Sequence, residues 1–444
     1  MTIQHADWMT YVAEVQTALD EFGTALSDRY EQDLDDHKSV WTPADPKVPD
    51  PSWGHNGHPW EDVKPQIPEW VSEILASVTS AIPVYENQDL NALDTASEQL
   101  KGIASTLGYA PGTLGDHGRV PDLMEEINNA GGEWKGVSAD TFGENFGKSV
   151  DPTMENQRDI AASLARLYSA RAAINSATRG HVLSTIRQAT ESLGGTVASG
   201  AETGRWTFVS VVSVAVGFAN APLGAFLSVA AIIGSVVDPL DPAQKSAHDI
   251  GSVVTAVLEG LGNGKTKAEE NELAYSNLVT ALQDAITGKA STELELYDFT
   301  SGEGVGEAET GAYEVVRGTI ERLAASCFAA SEEYEHVIKA AIATDDADPH
   351  LKGINNTEQS GDVKLKDTRD TFVGFLQTTC ARYREAGDRL MDAAREYDNS
   401  ETTNADILNA IHKELDFNGD HAGTGGTVEQ HIGATPAIAR HWPS

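Results

Sequence analysis

The sequence predicts an all-α protein built from elongated antiparallel helical hairpins. Three observations predict it. Apolar residues recur at helical spacing through most of the 444 residues. Clusters of proline and glycine divide these runs into helix-sized pieces. No strand-like alternation is longer than TELELYDFT, residues 292–300.

Taken in order, residues 6–30 repeat Tyr11, Val12, Val15, Leu19, Phe22 and Leu26, an amphipathic pattern. Residues 42–68 cannot continue it, because six prolines lie between Thr42 and Pro65. This stretch reads as an extended strap pinned by Trp41, Trp53 and Trp60. Helices resume over 69–81 and 87–107, break at 109–118, and return briefly over 121–129. From 138 to 193 the pattern carries a stripe of Phe142, Phe146, Val150, Met154, Ile160, Leu164, Leu167 and Ile174. Asp151-Pro152 softens that run, and Gly194-Gly195 end it.

Residues 206–237 contain no charge over 32 positions and are split at Asn220-Ala221-Pro222. DPLDP at 238–242 stops the run. Amphipathic patterns return at 243–261 and 267–287, with GLGNGKTK (260–267) between them. A phosphate loop would need glycine where Glu259 stands, so these residues read as a helix end and flexible linker. A glycine-rich hinge, 300–311, leads to a final pair at 312–343 and 365–397. Val316, Ile320, Leu323, Cys327, Ala330, Tyr334, Val337 and Ala341 form a heptad seam. Phe372, Leu376, Thr379, Tyr383, Ala386, Leu390, Ala393 and Tyr397 form its partner. The tail from Asn418 has no periodicity and is expected to be mobile. The organisation is therefore a helical domain (1–200), an apolar segment (201–242), helices and linker (243–308), a C-terminal hairpin (309–404) and a short helix with a mobile tail (405–444).

Composition narrows function. Asp and Glu number 68 against 31 Lys and Arg, a net charge of −37. That balance argues against nucleic acid, which needs a basic footprint, and against docking on anionic lipid. It suits either halophily or solubility. The opening MTIQHADW lacks the features of a Sec signal peptide, and none is expected. No Ser/His, zincin or Cys/His constellation occurs, so no enzyme, cofactor or metal is expected. His55 and His58 lack a third ligand at useful spacing. DFNGD (416–420) departs from a calcium loop at His421 and Thr427.

The most informative stretch is GGEWKGVSADTF, residues 131–142. Gly136 permits a tight helix reversal, Trp134 can cover the open end of the seam, and Ala139 and Phe142 begin the returning face. This W-x-G-x-x-A-x-x-F pattern resembles the turn of the WXG100 superfamily, helical-hairpin substrates of the type VII (ESX) secretion system. The likeness covers roughly 87–193, with GTLGDHGRVP interrupting the first arm. Tyr397 and Glu401 form a Y-x-x-x-E similar to the export signal of such substrates. Tyr85 and Asp89 show the same spacing and are read as chance in an acidic chain. The resemblance implies a non-enzymatic, secreted or envelope-associated protein, exported folded. Its partners would be the secretion machinery, a small helical protein, or copies of itself.

Two questions stay open in the sequence. The run 206–237 suits a buried hairpin or oligomer surface, or alternatively a membrane-inserting segment of an effector. Cys327 and Cys380 are expected at nearly the same height of the last hairpin, either as a disulfide or as two buried thiols.

Overall fold

The computed structural model describes residues 5–41, 64–83, 87–108, 142–194, 250–289, 291–298 and 317–399. Seven helices carry it: α1 (Trp8–Trp41), α2 (Ile67–Ala81), α3 (Leu90–Thr106), α4 (Lys148–Ser192), α5 (Ile250–Thr287), α6 (Arg317–Ile342) and α7 (Ser360–Asn399). The helices pack antiparallel, and among the described residues there is no strand. Most of the strap, the apolar run 206–237, the hinge, the tail, His55, His58 and the 416–420 motif lie outside the described residues.

Two large apolar cores form among the described residues. One joins α3, the first half of α4, the second half of α5, and the α6–α7 hairpin. The other joins α1, α2, the end of α4 and the start of α5. The long pair α4 and α5 therefore runs through both. At 1.5 Å per residue, the 45 residues of α4 span about 68 Å.

Most stripes bury the residues their periodicity selects. All eight expected residues of the α4 stripe, Phe142 to Ile174, are buried. So are Ile320, Leu323, Cys327, Ala330, Tyr334, Val337 and Ala341 of α6, against Phe372, Leu376, Thr379, Tyr383, Ala386, Leu390 and Ala393 of α7. Val12 departs from its stripe and is 40 % exposed, because one residue past Tyr11 turns it some 100° away from the packed face. Pro152 lies inside α4, which continues through it; the irregular turn comes just before, as the π-turn Gly143–Gly147. Gly194, at φ +81°, ends the helix as expected. Asp89, whose Y-x-x-x-D spacing was read as chance, caps α3 by accepting from the Asn91 N–H at 2.9 Å.

One expectation about the helices is corrected. Residues 260–267 are not a helix end and linker: α5 is continuous from Ile250 to Thr287. Gly264 serves a close crossing, since a Cβ there would overlap the His181 ring. The alternating run after residue 291 makes a helical turn, Ser291–Leu294, and then buries Leu296 without a partner strand. Side chains of α4 replace the ladder: Asn156 and Gln157 donate to the Glu293 and Leu294 carbonyls at 2.7 and 2.9 Å. Ser149 Oγ accepts from the Tyr297 N–H at 3.2 Å.

Candidate functional site

Between the two cores, α4 turns polar on its buried face. Arg171, Asn175, Thr178 and Arg179 recur at helical spacing and are all buried. Arg171 donates to Glu272 of α5 at 3.0 Å and to Asp362 of α7 at 2.6 Å. Its side chain and that of Asp362 are fully buried, so neither charge reaches water. The guanidinium also lies 5.1 Å from the centre of the Tyr275 ring. Burial raises the Glu272 carboxyl above its ordinary value, although Arg171 and the Ile354 N–H pull it down. Burial, then the neighbouring Asp362 carboxylate, push the Tyr275 phenol well up.

The chain after α6 is clamped into this layer. A 3-10 segment, Ala343–His350, continues past α6. Glu272 then accepts from the Ile354 N–H at 2.9 Å, and Asp362 from the Gln359 N–H at 2.9 Å. Gly353 fits so closely that a Cβ there would stand 2.7 Å from Glu272 Oε1. Gln88 donates to the His350 and Lys352 carbonyls at 2.8 and 2.9 Å, and Asn175 to the latter at 3.2 Å.

Arg179 makes the second junction. It donates to the carbonyls of His5, Ala6 and Gln88 at 2.7, 3.0 and 2.8 Å. The Trp8 and Tyr11 rings lie 5.7 and 5.2 Å from it. One buried cation thus fastens the start of α1 and the start of α3 to α4. Two residues on, His181 Nε2 donates to the Gly260 carbonyl at 2.9 Å. Burial lowers the pKa of that imidazole, with the Gly260 carbonyl opposing.

These groups hold segments together; none is a nucleophile paired with a base. Among the described residues, no group of three His, Cys, Asp or Glu could hold a metal ion. No described helix is long and apolar enough to cross a membrane, and 206–237 lies outside that statement. Sequence reasoning passed over Arg171, Arg179, His181, Glu272 and Asp362. The available signal was the run of polar residues at i, i+4, i+7 and i+8 interrupting the α4 stripe.

Of the residues singled out from sequence, Trp134, Gly136, Ala139 and Glu401 lie outside the described residues. Phe142 is buried just before the π-turn Gly143–Gly147 that leads into α4, its ring 5.2 Å from that of Phe146. Tyr397 lies near the end of α7, with its side chain outside the described set. Cys327 and Cys380 are free, buried thiols. The expected equal height is corrected. Phe328, beside Cys327, packs over Gly387, seven residues or about 10 Å along α7 from Cys380. Cys380 instead meets Ser331, 3.4 Å from its carbonyl. The equal-height alignment ended α6 at its last helical turn, whereas the chain runs on through the 3-10 segment before reversing.

No protein-family model matches the chain, and neither a curated protein nor a solved structure is significantly similar to it.

Proposed function

We propose that this chain is a non-enzymatic interaction protein of the type VII secretion class, exported folded and acting through helix faces. The observation that carries the reading is the placement of Phe142, the last residue of the W-x-G-x-x-A-x-x-F pattern. It is buried at the start of the π-turn that leads into α4, and α4 packs antiparallel against α3. The antiparallel sense follows from Arg179 reaching Gln88 while Ala165 and Ser169 meet Ser97. In chain order the motif, residues 131–142, follows α3 and precedes α4, which is the order the resemblance calls for. Tyr397, close to the end of a packed hairpin, gives the export reading a second foothold. Partners are the secretion machinery, a small helical protein or further copies of the chain, at the cell envelope or outside it. The test is export from a strain that secretes the wild type. Changing Tyr397 and Glu401 together should leave the fold intact and abolish appearance in the medium; unchanged secretion rejects the reading.

One observation favours a second reading, a membrane-inserting effector. Leu193, which caps α4, and Ile250, which opens α5, belong to the same apolar core. The stretch of sequence that contains the uncharged run 206–237 therefore connects two helix ends that share one end of the α4–α5 pair. Liposome leakage by the full chain, lost on deletion of 206–237, supports this reading, and absence of leakage removes it.

A further inference from the structure

The glycines of residues 260–267 lie where α5 crosses α4. Gly260 and Gly264 lie one turn apart on the buried face of α5, and the His181 ring fills the notch between the helices. A Cβ at Gly264 would overlap that ring. Nε2 donates to the Gly260 carbonyl at 2.9 Å, which fixes the neutral tautomer with its proton on Nε2. Around it lies the core that Val182, Val257 and Leu261 share with α1 and α2.

We propose that His181 and the Gly260–Gly264 notch form an acid-sensitive latch: the neutral ring holds α4 to α5, and the protonated ring releases the crossing together with the α1–α2 hairpin seated on it. The added proton goes onto Nδ1 and leaves the bond to Gly260 in place. The cost is the charge itself, buried beside aliphatic side chains with no carboxylate among the described residues to meet it. The charged groups of the elements packed here do not supply one. Glu259 and Lys265 of α5 and Glu69 and Glu73 of α2 are exposed. Glu14 of α1 is hydrogen-bonded to His5, and the buried Arg179 already places one cation in this layer. Tyr11 is kept neutral by burial.

The sign follows from linkage. Burial lowers the ring's pKa in the folded protein, so the opened state takes up the proton first. The latch is fully closed above the open-state value of ~6.5 and weakens as pH falls below it, by up to about tenfold in opening per pH unit.

Hydrogen exchange of the full chain at pH 7 and pH 5, corrected for intrinsic rates, tests it. Peptides from 182–193 and 250–264 should lose protection several-fold more than peptides from the α6–α7 seam. In His181→Gln, whose amide can still donate to Gly260, that excess loss should vanish. An equal response of both sets of peptides in the wild type overturns the latch. So does an undiminished acid response in the variant. If the variant does not fold, the wild-type comparison decides alone.

Discussion

Arg171 shows what one residue can hold. It stands between two carboxylates contributed by different helices, with no exposure of its own side chain. A buried ion cluster is poor evidence of net stabilisation, because desolvation offsets most of the attraction. Removing one partner is another matter, since the charges left behind stay buried. Arg171→Met should therefore cost ~3–5 kcal/mol in urea denaturation, from two stranded carboxylates. A loss below ~1 kcal/mol, the size expected of an exposed pair, would show that water reaches the cluster. The cysteines give a second check at this scale. Burial pushes the Cys327 thiol up to about 12, which suppresses the reactive thiolate. Thiol titration should find two slow-reacting groups in native protein and two in denatured, unreduced protein. One or none in the denatured sample would mean a bond the structure does not contain.

At the scale of elements, legibility followed the kind of interaction. The α6–α7 seam could be read because each helix repeats its own pattern, so every buried position is announced by its neighbours in sequence. The stripe of α4 could be read for the same reason. The continuity of α5 could not, because glycine weakens a helix locally and only a distant partner, His181, makes the small residues useful. Arg171, Glu272 and Asp362 were hidden too: they meet across separations of 101 and 191 residues, which no local pattern reports. Trp134, Gly136 and Ala139 of the proposed turn motif and Glu401 of the proposed export signal remain readings of sequence, lying outside the described residues. The two sorts of glycine in α5 separate by experiment. Gly262 has nothing within 4 Å of an added Cβ, so Gly262→Ala should stabilise by about 0.5–1 kcal/mol through helix propensity. Gly264→Ala should destabilise, by ~1–3 kcal/mol, because the ring or the helix must move. If chemical denaturation gives both substitutions the same sign, the crossing is not as close as the structure has it.

For the whole molecule the dominant fact is charge. A net −37 is spread over a frame of two apolar cores joined through a polar layer, and many of the ion pairs sit on exposed helix faces. Exposed pairs contribute little, so they do not offset the mutual repulsion of the carboxylates. Screening should then stabilise the fold. Raising NaCl from about 0.01 M to about 1 M shortens the screening length from ~30 Å to ~3 Å. The melting temperature should rise over that range, by ~2 °C or less for each kcal/mol of repulsion removed. Chloride is the appropriate salt, because sulfate would also strengthen apolar burial and confuse the two effects. The internal cluster supplies the control. Salt reaches buried charges weakly, so the loss caused by Arg171→Met should be nearly the same at both concentrations while both proteins gain in melting temperature. A melting temperature that falls with NaCl would show that attractive surface pairs outweigh the repulsion. A substitution cost that shrinks with salt would instead locate Arg171 in contact with solvent.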